Sequence, residues 1–391
     1  MPATFPTATF PATRLGLRSV VEGSEIPLRG ASHHASATLL AEVPATFPAA
    51  TFPATRLGLR SIVERSEIPV SVYLGTMGRP RRFIPPRSLV EVTCRTVHGR
   101  FLLRPSRDLN EIAIGIIARA ARRYRVQVVA FVILSNHAHY LLVPDDANQL
   151  AGFMNYVNGN LAREAGRLHG WRERFWGRRY RAIVISNESE AQIGRLRYLL
   201  SQGCKEGLVR SPEDWPGASA IAALLTGERL TGVWFDRTAE CKARGRRSSG
   251  KRRDYASEEN LELAPLPAWQ HEQAVRVREL VAELVRGIEQ EVERRFDSGR
   301  LPVGRRRILR RHPHSIPEES LASTAAPQFL AVSRAARDRL KAAYAVFCQA
   351  CRHATIELRA GDRTAYDRFP EGSFPPGLPF RRHRNLELEA G

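Results

Sequence analysis

Val126-Gln127-Val128-Val129-Ala130-Phe131-Val132-Ile133-Leu134-Ser135-Asn136-His137-Ala138-His139-Tyr140-Leu141-Leu142-Val143 is the stretch on which the fold turns. Residues 126–134 are β-branched and apolar on both faces, as a fully buried strand requires. Ser135-Asn136 supplies turn chemistry, so the two runs are expected to pair as a hairpin whose second strand opens with the histidines. Side chains alternate along a strand, which puts His137 and His139 on one face about 7 Å apart and Ala138 and Tyr140 on the other. Two imidazoles so placed can hold one divalent cation. An isolated His-x-His is more often a pair of histidines on a half-exposed strand, so the decision falls to the rest of the chain.

Upstream, Leu89 to Thr96 alternates as a first strand, and Leu109, Ile112, Ile116 and Ala120 recur at helical spacing behind a cap at Ser106 or Asp108. Downstream, Leu150, Phe153, Met154, Val157 and Leu161 mark a second helix, and Tyr180 to Ile185 a fourth strand. Strand-helix-strand-strand-helix-strand predicts an α+β fold, a ferredoxin-like split βαβ palm with an antiparallel sheet. RNA-recognition domains share that order, so the fold leaves function open. The next segment places Ile193, Leu196, Leu199 and Leu200 on one helical stripe, with Ser189 expected as N-cap and Gly203 as C-cap. Tyr198 and Gln202 then lie one turn apart on the same face. Most helical tyrosines are core or boundary residues. A tyrosine beside metal-capable groups is different: its phenol, with an unperturbed pKa near ~10, becomes a nucleophile when a cation polarises the phosphate and favours the phenolate.

Across residues 78 to about 240 the chain resembles the REP-associated tyrosine transposases, relatives of the single-strand insertion-sequence transposases of the HUH class. The carrying segments are Asn136-His137-Ala138-His139-Tyr140-Leu141-Leu142, Trp176-Gly177-Arg178-Arg179-Tyr180, Leu196-Arg197-Tyr198 through Gly207-Leu208-Val209, and Asp214-Trp215-Pro216-Gly217-Ala218-Ser219. The chain departs from the pattern at Gln202-Gly203, where these relatives carry Asn-Pro, and at Cys204-Lys205-Glu206. Glutamine is the third metal ligand in the insertion-sequence branch. The resemblance implies His137, His139 and Gln202 as ligands of Mg²⁺ or Mn²⁺, with zinc ranked second, and Tyr198 as the nucleophile. It implies a 5′-phosphotyrosine linkage, a free 3′-hydroxyl, and single-stranded or hairpin (REP-like) DNA as partner. The competing expectation is a noncatalytic nucleic-acid-binding relic. The resemblance leaves open a monomer or a homodimer whose tyrosine helix acts in trans.

Lys plus Arg number 60 against 40 acidic residues, a net charge of +20. Such a balance suits phosphate binding without proving it. Arg172, Arg174, Arg178, Arg179 and Arg181 interleave with Trp171, Phe175, Trp176 and Tyr180, which suits backbone charge with base stacking, although part of the aromatics belong to the core. We take the five arginines and Trp176 as DNA-binding candidates. Five cysteines, an odd number, argue for a reducing, cytoplasmic setting and, with DNA as partner, for association with the nucleoid. Cys348-x-x-Cys351-x-His353 reads as buried cysteines of a helix. No run is apolar enough to span a membrane.

Four regions follow. Residues 1–76 contain a near-copy, Thr9–Pro27 recurring as Thr51–Pro69, and are expected to be a disordered translation of repetitive DNA upstream of a start at Met77. Residues 77–240 are the transposase-like part. Residues 241–264, with Lys242 to Arg253, read as a flexible basic linker. Residues 265–391 read as a C-terminal helical extension, with an apolar stripe from Ala274 to Ile288, a further helix from about Ala335 to Leu358, and a Pro-rich tail.

Overall fold

A computed structural model describes residues 80–245, 252–296, 299, 301–317 and 327–376, all within a compact unit spanning 77–391. The expectations for the duplicated N-terminal segment lie outside the described residues.

The palm is built from β1 (Val90–Arg95), α1 (Arg107–Tyr124), β2 (Gln127–Ile133), β3 (His137–Val143), α2 (Ala147–His169) and β4 (Arg181–Ile185). β3 pairs antiparallel with both β2 and β1, and β1 with β4, giving the order β2-β3-β1-β4. That is the ferredoxin-like split βαβ arrangement, as the residue pattern predicts. The helices start where local chemistry dictates. Ser106 accepts from the Leu109 amide at 3.2 Å, and Asp146 accepts from the Gln149 amide at 2.7 Å, each satisfying an N–H that has no partner inside its helix.

Alternation gives the sheet two faces. Val90, Val92 and Cys94 of β1 lie beside Ala138, Tyr140 and Leu142 of β3, all buried, and the Cys94 thiol reaches Asn158 of α2. The opposite face carries Glu91, Thr93 and Arg95 beside Leu141, His139 and His137. It is covered by α3 (Ser189–Leu200), which is followed by the short α4 (Gln202–Lys205) and α5 (Ile221–Thr226).

β5 (Leu230–Phe235) and β6 (Ala256–Leu261) form a separate antiparallel hairpin against α1, with α6 (Arg237–Gly245) between them. The crossing is backbone on backbone: a Cβ at Gly232 would stand 2.1 Å from the Gly115 nitrogen, and one at Gly115 2.4 Å from the Val233 carbonyl. Residues 241–264 are thus not simply a linker. Their second half is β6, whose buried Glu259 pairs with Arg119 and Arg122.

In the C-terminal region α7 (Ala274–Phe296) buries Val281, Val285, Ile288 and Val292, continuing the expected stripe. The short α8 (Arg305–Arg310) follows, then β7 (Phe329–Leu330) and α9 (Arg334–Arg359). β7 adds parallel to β4 and makes the sheet five-stranded, so the extension is not purely helical. Cys351 is fully buried in α9 and packs with Tyr344, Phe347 and Phe83. Among the described residues no helix is long and apolar enough to cross a membrane.

Candidate active site

His137 opens β3 and His139 follows on the same face, their ring centroids 5.1 Å apart. Both are nearly enclosed, at 8 % and 5 % exposure. His139 Nδ1 lies 2.8 Å from Glu91 Oε1, and His137 Nδ1 lies 2.7 Å from Asn136 Oδ1. With each Nδ1–H donated to an oxygen, the Nε2 lone pairs are left for a ligand. Burial holds His137 well below the ordinary imidazole range, helped by His139 and Arg95. It takes His139 down to about 4, where Glu206 pulls the value up and Lys205 pushes it down. Both rings are therefore neutral near pH 7, the form that binds metal.

Glu91 is fully buried and serves two partners, His139 through one oxygen and the Arg195 guanidinium through the other. Arg195 comes from α3 and lies over the Tyr198 ring, 4.1 Å from its centroid. The ammonium of Lys205 sits 4.5 Å from the same centroid. Tyr198 stands edge-on to His139, ring centroids 6.1 Å apart. The tyrosine and both histidines thus come together within one chain.

The helix carrying Tyr198 differs from the expected one at both ends. Ser189 is its first residue rather than its N-cap, because the flanking Glu188 turns its carboxylate to Ser186 and to the amides of Val332 and Ser333. At the other end the helix stops at Leu200, and Gln202 begins α4. Gly203 is not a C-cap. It lies inside α4, where a Cβ would meet Val209 at 3.1 Å and Trp215 at 3.5 Å. Gln202 is buried and donates from Nε2 to the Tyr198 carbonyl at 2.9 Å, keeping it one turn from the tyrosine despite the break.

Glu206, just beyond α4, brings Oε1 to 3.4 Å from His137 Nε2. Burial raises its carboxyl pKa, against His139, Arg95, Lys205 and Arg311, which lower it. His137 Nε2 and the Glu206 carboxyl oxygen thus face each other beside the histidine pair. Among the described residues no group of three His, Cys, Asp or Glu side chains is arranged to hold a metal. A cation held here would take two imidazoles from the protein and would need amide, water or substrate oxygens for its remaining positions.

Residues 103–202 match the family described as IS200-like transposases. A solved structure of a REP-associated tyrosine transposase bound to a REP hairpin is 18% identical, over 38% of this chain and 85% of that one, at a TM-score of 0.30. A transposase-assigned protein of Deinococcus radiodurans is 17% identical, over 31% of this chain and 95% of that one, at a TM-score of 0.23. No curated protein matches the chain.

The Arg-aromatic cluster divides by role. Phe175 is buried, Trp176 donates its indole N–H to the Asn158 carbonyl at 2.9 Å, and Tyr180 is covered by Arg82. The aromatics therefore pack the loop rather than face solvent, while Arg172, Arg174, Arg178, Arg179 and Arg181 are exposed. The sequence reading overlooked Glu91, Arg195 and Lys205 as site residues. Glu91 had one signal, a carboxylate at the centre of an alternating strand, but its meeting with His139 depends on cross-strand register.

Proposed function

We propose that the protein is a transposase that cuts and rejoins single-stranded or hairpin DNA through Tyr198, in the presence of Mg²⁺ or Mn²⁺ held at His137 and His139, with residues 77–240 as the catalytic part. The observation that carries this reading is the approach of the Tyr198 ring to His139 at 6.1 Å. It favours chemistry over the noncatalytic relic, since a nucleophile must lie within reach of the phosphate it attacks. A bound divalent cation would polarise the scissile phosphate.

The chain's own residues do the rest. Glu91 fixes the His139 tautomer and ring angle, and Asn136 does so for His137. Gln202 is the amide on hand for a further oxygen ligand. Arg195 and Lys205 bracket the phenol and put positive charge where the phosphate enters. Tyr198 Oη forms a bond to phosphorus as the P–O3′ bond breaks. The phenol loses one proton and the departing 3′-oxygen gains one. Reversal by another 3′-hydroxyl restores the phenol, with no water or nucleotide consumed.

The test is to incubate the full chain with hairpin DNA carrying single-stranded flanks and Mn²⁺ or Mg²⁺, then look for a covalent adduct on denaturing gels. The adduct is expected with the native protein and absent from Tyr198→Phe, a loss of at least about a thousand-fold. An adduct that persists in Tyr198→Phe would overturn the assignment.

A further inference from the structure

Residues 303–315 link the two loops that flank His137. At one end the Val303 and Gly304 amides donate to the carbonyls of Gly207 and Leu208, both at 2.9 Å, directly after the Glu206 that faces His137. At the other end the Phe101 amide donates to Ser315 O at 3.2 Å, and Arg104 donates to Leu309 O at 3.2 Å. That second loop is joined to the histidine turn, Leu103 N to Ser135 O and Thr96 N to Asn136 O, each at 2.9 Å. Ile308, fully buried, anchors α8 between them.

What this bridge displays is one sign of charge. Arg305, Arg306, Arg307 and Arg310 are exposed, and none forms an ion pair among the described residues. Residues 301–317 contain no acidic residue. An ordinary solvated helix face looks like that of α7, where Arg276 pairs with Glu279 and Glu283, and Arg295 with Glu291. On α8 like charges crowd one short helix and repel, a destabilising arrangement that a polyanion relieves. The surface continues through His314, whose ring lies 5.2 Å from Trp171, to the exposed Arg172 and Arg174.

We propose that α8 and the following turn to His314 form a ledge that grips the phosphate backbone of the DNA entering the site, independently of base sequence. The proposal rests on the DNA-cleaving reading above and adds a binding surface from outside the family-matched segment. Such a surface fixes affinity and its salt dependence, leaving the bond-breaking groups untouched.

The test measures binding of a labelled DNA hairpin with single-stranded flanks to the full chain by fluorescence anisotropy between 50 and 300 mM salt. Arg305→Ala/Arg306→Ala/Arg310→Ala is compared with Arg339→Ala/Arg352→Ala/Arg359→Ala on α9, which removes the same charge elsewhere. The ledge variant is expected to bind at least about tenfold more weakly at 100 mM salt, its log–log salt slope reduced by about 2 to 3. Equal affinity and slope in the two variants would overturn the ledge. Phenylglyoxal footprinting of the native chain supplies a readout that needs no variant: DNA should slow modification of Arg305 to Arg310, and unaltered rates count against the proposal. A salt-dependent ledge effect without any adduct leaves the ledge standing and removes the chemistry. An adduct with no ledge effect does the reverse, and absence of DNA binding removes both.

Discussion

The two faces of the palm sheet are made by alternate residues of the same strands, yet they obey different rules. On one, Val92, Cys94, Ala138, Tyr140 and Leu142 are sealed by helices, and the Tyr140 hydroxyl has no hydrogen-bond partner among the described residues. On the other, Glu91, His137 and His139 are nearly as buried, yet each is matched: Glu91 by His139 and by Arg195 of α3, and His137 by Asn136 of the preceding turn. Burial by itself therefore does not separate a core from a site. What separates them is whether the buried polar groups are mutually satisfied and still leave lone pairs free.

The largest expected break in that contrast is Glu91→Gln. It strands the Arg195 charge in a buried position and should cost about 3–5 kcal/mol of stability by denaturant unfolding. Mn²⁺ affinity, followed by electron paramagnetic resonance, should fall about 10- to 100-fold. Unaltered stability would mean that Glu91 carries no ionic work. Next is acid sensitivity in metal-free protein. Burial lowers His139 to about 4 in the folded state against 6.5 for the free group, so below pH 6.5 the unfolded chain takes up a proton that the folded chain refuses. Stability should decline as pH falls from 6.5 towards 4, by roughly 2–3 kcal/mol, and His139→Gln should flatten that slope in denaturant titrations. On the dry face the sign reverses. Tyr140→Phe removes an unpartnered hydroxyl and should stabilise by about 1–2 kcal/mol, with adduct formation intact. A loss of stability would point to a buried water on that hydroxyl. The smallest effect belongs to Arg197→Ala, whose half-exposed bridge to Glu291 ties α3 to α7 at 2.9 Å. It should cost no more than about 1 kcal/mol, read as a shift of the unfolding midpoint.

Much of the palm was legible because its signals are local. The run Val126 to Leu134, the turn Ser135-Asn136, the cap Ser106 and the stripes of α1, α2 and α7 each act within a few residues. Tyr198 and the histidines were legible by motif and come together in the fold. Less legible were contacts set by register or docking. Glu91 meets His139 only because Thr93 pairs with His139 across the strands, and Arg195 meets Glu91 only once α3 lies on the sheet. Gly203 looks like a C-cap because glycine commonly ends a helix; here it lies inside α4, where a Cβ would press on the Val209 side chain at 3.1 Å. β6 at Ala256–Leu261 carries no sequence signal, since the Gly115–Gly232 crossing that recruits the hairpin leaves no mark in either glycine's neighbourhood.

The Glu91–Arg195 pair would constrain any sharing of the tyrosine between two copies of the chain. Handing α3 to a second subunit would first pull Arg195 away and leave a carboxylate with no countercharge beneath an opened sheet, a penalty of several kcal/mol until an equivalent arginine arrives. Any exchange of the tyrosine helix would therefore have to be concerted, one arginine replacing another at the same glutamate.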